Sequence, residues 1–124
     1  MIELDPIWQL TLLLFTHWIG DFVFQTTWMA TGKSSRLDAL IVHVLMYSIV
    51  LAGAAVVLFG QTETAAMFVA CNAAFHLVTD FCTSKVSAAF HARQNMRGFF
   101  VVLGLDQFLH HLALAATLAW FTAA

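Results

Sequence analysis

The sequence predicts an all-α integral membrane protein, built as a bundle of four transmembrane helices. Hydrophobic residues make up 61% of the 124 positions, charged residues only 10%, and the mean hydropathy is +0.85, which is typical of membrane proteins. Four apolar stretches lie between short breaks that hold the charges, near residues 6–30, 37–59, 64–89 and 98–122. Each stretch exceeds the roughly 20 residues that a helix needs to cross a bilayer. The four helices together predict a single transmembrane domain over residues 1–124.

Each apolar stretch is preceded by residues that favour a helix start. Asp5 is suited to cap the first helix, and Pro6 fits its first position. Ser35 begins a pattern that resembles a capping box for the second helix. The expected caps of the third and fourth helices are Thr62 or Thr64 and Asn95.

The distribution of positive charge predicts how the helices are oriented. Lys and Arg lie in or beside the first and third breaks, and by the positive-inside tendency these breaks face the cytoplasm. Both termini then lie outside, and we expect a multi-pass protein of the bacterial inner membrane, in contact with the lipid bilayer. The net charge of −2 leaves no basic footprint for nucleic acid.

The motif His-x-x-x-Asp-Phe occurs twice inside membrane-length apolar segments. It covers residues 17–22 and 76–81, and the fourth stretch carries the reverse order from Asp106 to His110. Residues four apart lie on the same face of a helix, so each pair presents an imidazole beside a carboxylate. Because the first and third helices run in the same direction, the repeat predicts two helical hairpins related by a pseudo-two-fold axis. A carboxylate at mid-membrane costs about 2.5 to 3.5 kcal/mol, which calls for a compensating partner.

The three pairs and His43 are predicted to form a divalent metal site in the cytoplasmic half of the bilayer. Counting residues from the helix ends places all of them in one band roughly 10 Å tall. Imidazole and carboxylate suit Zn²⁺, which we expect, or Mn²⁺ or Fe²⁺. Two divalent ions with one bridging hydroxide would neutralise three carboxylates, which favours a binuclear site. The predicted ligands are His17, Asp21, His43, His76, Asp80, Asp106 and His110, and the residues predicted to hold ligands by hydrogen bonds are Gln25, Asn72 and Gln107.

Other interpretations of the same residues stay open. The pairs can be internal His–Asp ion pairs without metal, part of a proton or ion pathway, or, for two of the histidines, haem ligands. Three functions follow: a metal-dependent hydrolase acting on a lipid-borne phosphoester or acyl bond, a non-catalytic subunit of a larger membrane complex or homo-oligomer with a structural metal or His–Asp network, and a carrier of metal or protons. The outer half of each helix is almost wholly apolar, which counts against a carrier.

Taken together, the motifs resemble those of an uncharacterised family. The pattern of small bacterial and phage integral membrane proteins that share a domain of unknown function is similar to the following residues: His17-x3-Asp21-Phe22-x2-Gln25, Trp28, Lys33, His43, His76-x3-Asp80 and Asp106-Gln107-x2-His110. The resemblance covers about residues 10–112 and implies four membrane helices, with no established activity. More loosely, the His/Asp set is similar to that of small inner-membrane metal-dependent hydrolases, which favours a hydrolase by analogy only.

Overall fold

The protein is all-α: the structure, a computed structural model, describes residues 3–123 and has no strand among them. Five α-helices and one π-helical segment follow one another along the chain. In order they are α1 (Pro6–Trp18), the π segment (Ile19–Val23), α2 (Thr27–Gly32), α3 (Leu37–Phe59), α4 (Glu63–Ala92) and α5 (Met96–Ala123). The predicted helix over 37–59 coincides with α3, and the ones over 64–89 and 98–122 fall within α4 and α5.

The first apolar stretch does not form the single helix that was predicted over 6–30. Asp5 does cap α1, since its carboxylate accepts a hydrogen bond from Ile7 N at 3.0 Å, and Pro6 lies in the first turn as expected. The helix then passes into the π segment and ends, and Thr26 caps a separate helix, α2, by accepting from Met29 N. The polar residues of this stretch therefore lie on two helices with a break between them.

Close packing against α3 accompanies the π segment. A Cβ atom at Gly20 would lie 3.1 Å from Cδ2 and 3.4 Å from Cα of Tyr47, so only glycine fits there without a shift. A π-helical turn inserts one extra residue into a helix and is frequent at functional sites. Here it carries Asp21, whose side chain is buried.

Three helices of the described chain, not the predicted four, are long and apolar enough to span a membrane. They are α3, α4 and α5, with mean hydropathies of 2.4, 1.4 and 1.5. By contrast, α1 has 13 residues, or about 20 Å of rise, which is shorter than the roughly 30 Å hydrocarbon core. Large apolar side chains cover the outside of the bundle, among them Ile49 at 68% and Trp120 at 74% exposure. Such a surface is typical of a protein that contacts lipid.

The ends of α3, α4 and α5 test the other predicted caps. Thr62 caps α4 by accepting from Ala65 N, and Asn95 precedes α5 and accepts from Gly98 N at 2.9 Å, so both predictions are confirmed. The capping box at Ser35 does not form, because Arg36 occupies the cap position of α3 without a side-chain bond.

The helices enclose a core with an apolar end and a polar end. α4 packs along both α3 and α5, and α1 contacts α3 and α5. Leu51, Phe68 and Leu114 are fully buried in the half that lies near the turn at Gly60. Buried His and Asp side chains occupy the half near the α2–α3 and α4–α5 connections, which is the candidate site.

Candidate metal centre

All seven predicted ligands are buried, and the structure brings them together at the polar end of the bundle. Their relative exposures run from 0% for His43 to 6% for Asp106. They come from the end of α1, the π segment, α3, α4 and α5, so no single helix could form the site. In chain order they are His17, Asp21, His43, His76, Asp80, Asp106 and His110.

Four of these residues face one point. Asp21, His43, His76 and Asp80 each offer one ligand atom, and those atoms all lie within 4.8 Å of one another. Nε2 of His43 lies 2.9 Å from Asp21 Oδ1, 3.3 Å from Asp80 Oδ2 and 3.1 Å from Nε2 of His76. One ring nitrogen carries at most one proton and cannot donate fully to several partners at once. Electron-pair donors that converge in this way match the needs of a divalent metal ion.

A second group shares a residue with the first. Asp21, Asp106 and His110 also offer ligand atoms within 4.8 Å of one another. Nδ1 of His110 lies 2.7 Å from the carbonyl oxygen of Asp106, which can only accept, so Nδ1 holds a proton, and in a neutral ring Nε2 keeps its lone pair. Asp21 belongs to both groups and is therefore the candidate ligand that they share.

Several buried polar atoms in these groups have no hydrogen-bond partner. They are Nδ1 of His43, Nδ1 of His76, Oδ1 of Asp80 and Nε2 of His110. Each such atom costs about 1–3 kcal/mol when it is buried unpaired. Nε2 of His110 and Oδ1 of Asp80 lie 3.3 Å apart at the cluster and are chemically suited to a metal.

His17 lies beside the two groups rather than in them. Nε2 of Gln107 is 3.0 Å from Asp21 Oδ2 and 3.0 Å from Asp106 Oδ2, and ionised carboxylates only accept, so the amide nitrogen must point to them. The amide oxygen of Gln107 then accepts from Nε2 of His17 at 2.8 Å. This leaves the lone pair of a neutral His17 on Nδ1, where the Tyr47 hydroxyl donates at 3.1 Å. Both nitrogens of His17 are thus engaged in a hydrogen-bond chain.

The three residues predicted to support ligands differ in what they contact. Gln107 contacts two candidate ligands directly, as described above. Asn72 donates to Phe68 O and to Thr117 Oγ1, and neither bond reaches a candidate ligand. Oε1 of Gln25 is buried without a partner, and Gln25 lines a cleft beside Asp106.

Sequence reasoning missed two residues that contact the site, Tyr47 and Thr83, and did not foresee the contact that Lys33 makes. Tyr47 holds His17, and its signal was available, since it is the only tyrosine and lies one helical turn after His43. Thr83 donates to Asp106 Oδ1, one turn below Asp80 on α4. Lys33 reaches Asp80 across 47 positions of sequence, and no local pattern could have revealed that contact.

Lys33 places a positive charge inside the candidate site. Its Nζ lies 3.0 Å from Asp80 Oδ2, and its side chain is 17% exposed. Burial alone would favour the neutral amine, but the carboxylates of Asp80 and Asp21 outweigh it and raise the pKa of Lys33. The ammonium therefore stays charged and offsets one of the three buried carboxylates.

The two copies of the repeated motif do not have the same backbone. The first copy spans the end of α1 and the π segment, whereas the second lies within the uninterrupted helix α4. Nε2 of His17 is 3.4 Å from Asp21 Oδ2, and Nε2 of His76 is 3.2 Å from Asp80 Oδ2, so both pairs still meet. The His–Asp contact is present in both copies of the motif, whereas the backbone conformation differs between them.

A cleft of about 490 Å³ leads from the loop end of the bundle to the site. It is bordered by Lys33 and Ser34 after α2, by the last turns of α4 and by the first turns of α5, and it reaches Asp106 and Thr83. Its volume lies within the 300–1,000 Å³ that is usual for small-molecule sites. The candidate ligands are therefore buried but lie next to a passage.

Comparison with known proteins gives one match. The family model described as "Protein of unknown function (DUF3307)" matches residues 9–124, a range that includes every candidate ligand. No curated protein and no solved structure matched the chain. The expected resemblance to an uncharacterised family is confirmed, and since the match covers nearly the whole chain, the protein belongs to the DUF3307 family.

Proposed function

We propose that this protein is a membrane-embedded, metal-dependent hydrolase. The observation that carries the proposal is the position of Asp21, which belongs both to a group of four potential ligands and to a group of three. In hydrolytic centres with two neighbouring metal positions, the metals activate water and polarise the substrate oxygen. The cleft that reaches Asp106 supports a site that substrate can approach, as an enzyme requires and a structural site does not.

The donor set favours a divalent ion with affinity for nitrogen and oxygen, Zn²⁺ first and Mn²⁺ or Fe²⁺ next. Lys33 adds one positive charge to the three negative charges of the buried carboxylates. With its ammonium on Asp80, one divalent ion leaves the buried set neutral, the state that a low dielectric prefers. If two ions bind, one of them in the group of four, Lys33 must leave Asp80.

The residues of the chain have distinct roles in this proposal. His43, His76 and Asp80 are the ligands of one position, and Asp106 with His110 hold the other, with Asp21 between them. A bound ion supplies hydroxide near neutral pH. Gln107 fixes the orientation of Asp21 and Asp106, because its amide nitrogen donates to both.

We further propose a bacterial inner-membrane location with the cleft facing the cytoplasm. The support is the positive charge of Lys33, Lys85, Arg93 and Arg97, all near the end where the cleft begins. Both termini would lie on the outer side if the helical backbone from Pro6 to Val23, roughly 27 Å long, also crosses the bilayer.

A second candidate function rests on a different observation. Lys33 already pairs with Asp80, and His43 and His76 already contact carboxylates, so the polar end can be a charge-balanced network without metal. The protein would then be a non-catalytic subunit of a larger complex or homo-oligomer. A carrier has less support, because the far half of the core is lined by Leu51, Phe68 and Leu114.

Metal analysis of the full-length protein in detergent tests the proposal. We expect at least one equivalent of Zn, Mn or Fe per chain, and its loss in Asp80→Asn and in His76→Ala. Asp38→Asn and His91→Ala are matched controls, because both residues are exposed and lie outside the candidate groups. A folded protein that neither contains metal nor takes it up would refute the hydrolase and leave the network.

A further inference from the structure

The cleft beside Asp106 carries features that point to a ligand of its own. It lies between the end of α4, the start of α5 and the segment after α2. From Ala92 at its loop end to Thr83 within it, the α4 wall rises about 13 Å. No predicted metal ligand other than Asp106 lines it, so it is a neighbour of the metal groups and not the same space.

Two buried polar atoms in its wall have no partner. Ser84 is 7% exposed, and its Oγ makes no hydrogen bond. A serine inside a helix usually donates to the carbonyl one turn earlier, as Ser48 does to Val44 O at 2.7 Å, so the free hydroxyl of Ser84 is exceptional here. Oε1 of Gln25 is buried and unpaired in the same cleft. Unpaired buried polar groups cost free energy, and a ligand that accepts a hydrogen bond from Ser84 would recover part of it.

Two kinds of donor in the cleft can serve a ligand. Ser34 and Ser84 contribute hydroxyls, whereas the hydroxyls of Thr83 and Ser87 already donate to Asp106 Oδ1 and Ser84 O. Lys33 contributes an ammonium with three protons, of which the bond to Asp80 uses one. Free donors beside a cation favour a ligand with acceptor oxygens and negative charge.

Apolar side chains form the remainder of the wall. Phe99, Val102 and Leu103 of α5 face Ala88 and Ala92 of α4 across the cleft. A free inorganic anion would leave this part of the cleft without a partner. An anion attached to an organic group would contact both the donors and the apolar wall.

We propose that the cleft binds the phosphoryl group of a phosphate ester, held by Ser84 and Lys33 next to Asp106. The inference rests on the proposed metal site, because the Asp106 carboxylate repels an anion unless a cation is bound to it. A phosphate ester placed there would be the substrate class of the hydrolase. The ester can come from a lipid headgroup or from a soluble metabolite, since both present the same phosphoryl chemistry.

Equilibrium dialysis of radiolabelled inorganic phosphate against the full-length protein in detergent tests the inference. Bound Mn²⁺ is counted first, in the same samples, and phosphate retention is then measured with and without Mn²⁺. We expect Mn²⁺ to increase phosphate retention at least tenfold. Ser84→Ala should weaken retention about tenfold and leave the Mn²⁺ count unchanged, because a hydrogen bond to a charged group is lost. Ser48→Ala is the matched control and should bind phosphate normally.

The outcomes separate the two proposals. Absence of bound Mn²⁺ in samples that also contain and take up no Zn²⁺ or Fe²⁺ would refute the metal site, whereas bound Mn²⁺ without phosphate retention in either condition would refute the cleft alone. Equal retention by Ser84→Ala and the unaltered protein would also overturn the assignment. Competition identifies the source: displacement by short-chain phosphatidic acid at lower concentration than by glycerol phosphate indicates a lipid headgroup, and equal potency indicates a soluble ester.

Discussion

Gly20→Ala is the sharpest test of how the site is positioned. The added Cβ would lie 3.1 Å from Tyr47 Cδ2, 3.4 Å from Tyr47 Cα and 3.5 Å from Val50 Cβ. The first distance is a few tenths of an ångström shorter than ordinary contact, so the Tyr47 ring must shift, whereas the other two are ordinary contacts. Overpacking of this kind costs about 1–3 kcal/mol. The better helix propensity of alanine returns about 0.5–1 kcal/mol, so we expect a net loss of about 0–2.5 kcal/mol.

The same substitution should also lower the metal content, because Gly20 directly precedes Asp21, which belongs to both candidate ligand groups. Reversible unfolding in mixed detergent micelles measures the stability, and metal content measures the site. Gly53→Ala is the matched control, since nothing lies within 4 Å of a Cβ there, and its stability should equal or slightly exceed that of the unaltered protein. If Gly20→Ala proves as stable as Gly53→Ala, the argument that close packing excludes a side chain at Gly20 is refuted.

Three further substitutions separate packing from ligation. Thr117→Val removes the acceptor of Asn72 and should cost about 0.6–1.7 kcal/mol in the same unfolding assay, with unchanged metal content; metal loss would mean that the Asn72 contact supports the site. Tyr47→Phe leaves Nδ1 of His17 unpaired and should lower the free energy of unfolding by about 1–3 kcal/mol, without metal loss. A fall in metal stoichiometry would indicate that Tyr47 is a ligand. Lys33→Met removes the cation from Asp80 and should tighten metal binding to the group of four by roughly tenfold or more, measured by competition with a chelator; weaker binding would contradict the charge argument.

The end of α3 at Gly60 and the break in the first stretch show which local features can be predicted from the sequence. α3 was predicted over 37–59 and occurs there, because an uninterrupted apolar run ends at Gly60, whose φ of 72° suits glycine. The break in the first stretch was not predicted, although Gly20 lies in the π segment that precedes it. A glycine within an apolar helix is compatible with a regular helix, and only the neighbouring Tyr47 makes it a position of close approach.

For the candidate ligands, too, some contacts can be predicted from the sequence and others cannot. The spacing of four placed an imidazole beside each carboxylate, and counting along the helices placed every pair at one depth, so the cluster of Asp21, His43, His76 and Asp80 was foreseeable. The hydrogen bonds of His17 with Tyr47 and Gln107 could not be foreseen, because these three residues come from three different helices. Which nitrogen of a histidine is free depends on partners that only packing supplies.

What the sequence determined by itself is the class of protein and the chemistry of its polar end: helices of membrane composition, with His and Asp side chains paired on their faces. Periodicity and hydropathy are properties of each segment alone, so they can be read without the fold. The tertiary structure decided that Asp21 stands between two ligand groups, that Lys33 reaches Asp80 and that a cleft meets Asp106. These are contacts between segments distant in sequence, and they depend on how the helices pack and where the first one breaks.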